Sequence, residues 1–137
     1  MVEIFDDDYI KDLMNKCLAT VSDNYNQEHR HYHNLTHIEN MFHEVSNLDF
    51  ELNQNELIVL CLATIFHDAV YDTQQPDRDN VLQSIKFFET TISDLKIVEQ
   101  LQEINPQIIP LVRNFIGSTI GHNHNAYSIE IVVEGFN

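Results

Sequence analysis

An all-α fold is predicted for this 137-residue chain from three observations. It holds only 3 glycines and 3 prolines, too few for a β protein that reverses direction on tight turns. Apolar residues recur at three- and four-residue steps along successive segments, the period of a helix with one face against a core. The segment Leu57–Ala63 is apolar on every helical face, as a central helix surrounded by others must be. With 43% hydrophobic and 21% charged residues the composition is globular, and the length suits one domain able to bury a core. The expectation is a single domain over residues 1–137, a bundle of about six helices.

The elements follow in order. Ile10, Leu13, Met14, Cys17, Leu18 and Val21 mark a first helix, with Asp6, Asp7 and Asp8 at its N-terminus as caps and as charges favoured by the helix dipole. Asp23 to Asn34 is polar and aromatic without a stripe, and is expected to be a loop. A second helix runs from about Asn34 to Asn47 on Leu35, Ile38, Met41, Phe42 and Val45. Either Asn34 or the pair Thr36 and Glu39 can cap it. Asn53 and Glu56 open the third, all-apolar helix, which closes near His67-Asp68. Tyr71 to Asp79, with Pro76, is expected to be a polar loop. Val81, Leu82, Ile85, Phe88 and Ile92 mark a fourth helix, and Leu95, Val98 and Leu101 a fifth. Asn105-Pro106 and Pro110 open a sixth segment carrying Leu111, Val112, Phe115, Ile116 and Ile120. Asn123 to Asn137 is less legible: Tyr127 to Val133 has strand-like composition but no partner strand.

The formal net charge of −15 disfavours any non-specific grip on nucleic acid or an anionic membrane. Cys17 and Cys61 sit inside apolar helical patterns and form no CxxC pair, which fits small buried hydrophobes in a reducing compartment. Met1 to Asp8 lacks the basic start of a signal peptide, and the longest apolar run, Leu57 to Phe66 broken only by Thr64, is too short to span a bilayer. A cytoplasmic protein is expected.

Chemistry concentrates in two places. Five of the eight histidines (His29, His31, His33, His37 and His43) fall within 15 consecutive residues. For His29, His31 and His43 the simpler reading is a wet, histidine-rich segment, because nothing else converges on them. His67-Asp68 closes the all-apolar helix, where an unpaired carboxylate would be costly. One answer is structural, with His67 stabilising the helix C-terminus and Asp68 capping the next turn. The other is a metal ion held by imidazole and carboxylate, which becomes stronger if His37 arrives from an adjoining helix.

The run Arg30-His31-Tyr32-His33-Asn34-Leu35-Thr36-His37-Ile38, followed by Ala63-Thr64-Ile65-Phe66-His67-Asp68-Ala69-Val70-Tyr71, resembles the predicted metal-dependent phosphohydrolases of the HD superfamily. There a YHN-x-x-H segment precedes an FHD-x-x-Y segment. Ile116 to His122 is similar to a later T-x-x-H segment, and the likeness spans roughly Tyr25 to Gly135. The resemblance implies an all-α, HD-domain-like bundle and a divalent metal held by a histidine, the His-Asp pair and a later aspartate, which carries over as His37, His67 and Asp68. It implies hydrolysis of a phosphate ester of a small metabolite or nucleotide, the metal activating a water. Arg30 is then the cation for phosphate oxygens, His33 a substrate or supporting contact, and His122 either a second-metal ligand or a proton donor, with Asp68 in the catalytic set. Manganese, iron, nickel, cobalt, zinc and magnesium all accept such mixed ligands.

Three departures from the family pattern bear on activity. Glu130-Ile131, with Gly135 after it, stands where the family has Asp-Leu, so Glu130 is the expected fourth ligand with its carboxylate one methylene further out. Asn80-Val81-Leu82-Gln83-Ser84 keeps the asparagine and serine of an acidic NEE-x-S-A segment but neither glutamate. The chain ends at Asn137, where the family continues into further helices; a missing layer would expose apolar surface suited to a homodimer. Two functions from different classes follow: a metal-dependent phosphohydrolase, and a catalytically impaired HD-fold module that binds a metal, a ligand or a protein. A helical scaffold without a site is the third.

Overall fold

The computed structural model describes residues 4–25, 40, 43, 52–118 and 134–136. The expected all-α class is what it shows: the helices described along their whole length are α1 (Asp8–Tyr25), α2 (Gln54–Phe66), α3 (Asp77–Asp94), α4 (Val98–Ile104) and α5 (Ile108–Gly117), and residues 134–136 are helical as well. Of the expected helix over about 34–47, only Asn40 and His43 are described, and both are helical and exposed. Ile120 and the strand-like Tyr127 to Val133 lie outside the described residues.

α1 begins where the three aspartates place it. Asp7 Oδ1 accepts from the Tyr9 N–H at 2.8 Å and the Ile10 N–H at 3.4 Å, satisfying donors that the first turn leaves open. Ile10, Leu13, Met14, Cys17 and Val21 are buried as their spacing requires. The helix runs on to Tyr25, so Asp23–Tyr25 are helical where a loop is expected from composition. The Asn24 side chain donates to the Ala69 carbonyl at 3.0 Å, a tie to a residue 45 positions away that local composition cannot reveal.

α2 is the centre of the molecule. Asn53 and Glu56 form a reciprocal capping box: the Glu56 N–H donates to Asn53 Oδ1 and the Asn53 N–H to Glu56 Oε1, each at 2.9 Å. From Ile58 to Phe66 every residue is buried. The helix packs most extensively on α5 and then on α1, with α3 also against it. Phe66, at its C-terminal end, sits 5.2 Å from Phe88 and 6.3 Å from Phe87 between ring centroids, in the tilted arrangement aromatic pairs prefer. This cluster anchors the turn that carries His67 and Asp68.

α3 buries Asn80, Val81, Ser84, Phe88, Thr91 and Ile92. Leu82, expected on the apolar stripe, is 48% exposed because it lies about 100° around the helix from Val81. The turn into α4 is a Schellman cap, with the Ile97 N–H bonded to the Ile92 carbonyl and the Lys96 N–H to that of Ser93, both at 3.0 Å. Lys96 occupies its left-handed position at φ 59°, and Leu95 belongs to this turn and not to α4. Pro110 sits in the first turn of α5, where a missing N–H costs no helical bond. Gly135 lies so close to the Leu111 side chain on α5 that a Cβ would overlap it, and Phe136 packs on the core beside it. The exposed large hydrophobics among the described residues are Ile4, Tyr9 and Leu82. No helix among the described residues is long and apolar enough to cross a membrane.

Candidate functional site

The C-terminal end of α2 delivers a histidine into the interior. His67 is the C-cap residue: its N–H reaches the Ala63 carbonyl at 2.9 Å, so the last helical bond orients it. The residue is 1% exposed. Ring Nδ1 lies 2.7 Å from the Thr64 carbonyl, and because a carbonyl oxygen only accepts, Nδ1 is the protonated nitrogen. Nε2 lies 3.0 Å from Asp68 Oδ2, whose side chain is 18% exposed. The backbone carbonyl thus selects the tautomer and turns Nε2 toward the carboxylate, the outer contact that histidine ligands commonly have.

The electrostatics of the pair follow from burial and charge. Burial opposes a charged imidazole, but the neighbouring Asp68 carboxylate, helped by the ring's hydrogen bonds to Asp68 and to the Thr64 carbonyl, outweighs it and raises the His67 pKa above its ordinary 6.5. A neutral imidazole protonated on Nδ1 presents a lone pair at Nε2, and a lone pair next to a carboxylate oxygen calls for a positive species with them. A second ring proton would meet that requirement, and so would a divalent cation, since imidazole nitrogen with carboxylate oxygen is a donor set such cations accept. In kind, therefore, the two described residues fit a metal. Among the described residues no group of three or more His, Cys, Asp or Glu converges on one point. The expected partners His37 and Glu130, and also Arg30, His33 and His122, lie outside the described residues.

The connection from His67 to Pro76 has no regular structure, yet its main chain is held by side chains. Ser84 Oγ accepts from the Val70 N–H at 3.0 Å and donates to the Val70 carbonyl at 3.2 Å. Asn80 does the same for Asp72, accepting from its N–H at 3.0 Å and donating to its carbonyl at 3.1 Å. Asn24 holds the Ala69 carbonyl from the end of α1, and the Ala69 N–H reaches the Phe66 carbonyl at 3.1 Å. The sequence marks Asn80 and Ser84 by their place in the resemblance, but not what they bond. It carries no signal for Asn24 or for the Thr64 carbonyl. Thr64 is visible as the break in an apolar run; its hydroxyl is buried and has no hydrogen-bond partner among the described residues.

Fold and site together describe an all-α protein whose central helix closes on a buried histidine paired with a partly exposed aspartate. No protein-family model matches the chain, and no curated protein or solved structure matches it.

Proposed function

We propose that this protein is a cytoplasmic, metal-dependent phosphohydrolase of the HD-domain type, acting on a phosphate ester of a small metabolite or nucleotide. The supporting observation is the His67–Asp68 pair, with Nδ1 engaged by the Thr64 carbonyl and Nε2 at 3.0 Å from the carboxylate. His67 and Asp68 would hold a divalent cation together with His37 and Glu130. Such an ion, when bound, lowers the pKa of a coordinated water and polarises a phosphoryl oxygen. The remaining work falls to the chain's own side chains. Arg30 neutralises phosphate oxygens through its planar fork, His33 contacts the substrate, and His122 supplies a proton to the departing oxygen. The high negative charge of the chain favours a small phosphorylated substrate held by a cation over a polyanion such as nucleic acid.

The test is elemental analysis of tag-free protein purified without added metal or chelator, alongside hydrolysis of a chromogenic phosphate monoester in manganese. Near-stoichiometric transition metal is expected in the natural protein and in His29→Ala, and its loss in His37→Ala and His67→Ala. Equal metal in all four proteins would remove the assignment. Metal without turnover, with turnover appearing in Glu130→Asp, would instead establish the impaired module.

A further inference from the structure

Buried polar side chains are costly unless their hydrogen bonds are made, and α3 buries two of them one turn apart, Ser84 at 0% and Asn80 at 6% exposure. A helix that only had to pack would carry alanine or valine at both positions. Instead each side chain gives both a donor and an acceptor to a single residue of the connection that follows Asp68: Ser84 to Val70, Asn80 to Asp72. Gln75 Nε2 adds a third bond to Asn80 Oδ1. Between Ala69 and Asp72 the chain has no helix or strand to pair its main chain. α3 therefore holds its main chain at Val70 and Asp72, and Asn24 holds the Ala69 carbonyl from α1.

Asp68 stands at the head of this tethered stretch. Its carboxylate meets His67 Nε2 only if the main chain leaves α2 in the right direction, and His67 is already immobilised by the helix and by the Thr64 carbonyl. We infer that Asn80 and Ser84 are positioning residues for the His67–Asp68 pair: they touch neither metal nor substrate, and hold Asp68 against His67 through the main chain of Val70 and Asp72. The inference rests on the proposed metal site for its functional meaning, but the geometry it describes exists without a metal. Misplacement of a ligand by loss of such outer contacts typically weakens metal binding by roughly ten- to a hundredfold.

The experiment compares the full chain with Ser84→Ala, Asn80→Asp and, as a control on the exposed face of α3, Lys86→Ala. Two readouts are taken: the His67 ring nitrogen shifts at one fixed pH in chelator, and Mn²⁺ affinity by calorimetry. Asn80→Asp keeps the acceptor for the Asp72 N–H and loses the donor to its carbonyl, so it preserves shape and decides the matter if Ser84→Ala does not fold. The expected result is displaced His67 ring signals in both variants, unchanged signals in Lys86→Ala, and Mn²⁺ affinity reduced roughly tenfold or more. Unmoved ring signals in the folded variants overturn the inference, as does undiminished Mn²⁺ affinity in them when the natural protein binds. A natural protein that binds no Mn²⁺, with ring signals that still move in the variants, removes the metal assignment and leaves the positioning role standing.

Discussion

His67 shows how one buried side chain couples charge to stability. Its folded pKa is raised above the unfolded 6.5, so the folded chain holds the proton more tightly than the unfolded one. The stabilisation is fully present below about pH 6.5 and disappears as pH rises through the raised folded value. In chelator, the difference in unfolding free energy between the natural protein and Asp68→Asn should therefore be larger near pH 5.5 than near pH 8.5, by denaturant titration. Equal differences at both values would show that Asp68 is not the source of the raised pKa. Binding of the proposed metal should run the other way, weakening as the solution is acidified, because His67 would have to release its second proton to bind. The pair itself is legible in the sequence as an ionisable dipeptide closing an apolar helix. The Thr64 carbonyl that orients the ring, three residues back in the same helix, is not, since every residue has a carbonyl and no side-chain pattern marks this one.

At the level of elements, the boundaries set by local chemistry match the sequence and those set by distant contacts do not. α2 begins at its capping box because Asn53 and Glu56 are three apart and satisfy each other's backbone donors. α1 overruns its expected end, and there Asn24 is tied to Ala69. The α3–α4 turn places Lys96 in a left-handed conformation that costs a residue with a Cβ about 1 kcal/mol. Lys96→Gly should raise unfolding free energy by roughly that amount, partly offset by the entropy glycine gains in the unfolded chain. Thermal unfolding with an unchanged denaturant slope checks it, and a loss of stability would mean that the lysine side chain contributes more than the backbone strain removes. Leu82 illustrates the limit of periodicity. Its neighbours Val81 and Ile85 share the apolar composition, but only the angle at which α3 meets α2 and α5 decides which of them is covered.

For the molecule as a whole, the two cysteines report on the core. Cys17 on α1 and Cys61 on α2 are both buried and unpaired, and burial pushes the Cys17 thiol up to about 12 and that of Cys61 higher still. Both should resist an aromatic disulfide reagent at pH 8 in native buffer and react in full in urea, at a native rate limited by opening of the α1–α2 interface. Fast native labelling of either thiol would mean that α1 detaches from the core without global unfolding. What the sequence determined by itself is the helical class, the capped ends, the central place of α2 and the identity of the His67–Asp68 pair. All of these follow from spacing within one or two helical turns. Tertiary structure alone decided that α3 and α1 hold the connection after Asp68, and which face of α3 is buried. The hydrogen bonds that hold the connection join residues 8 to 45 positions apart, and a hydrogen bond between distant residues leaves no periodic trace in either segment.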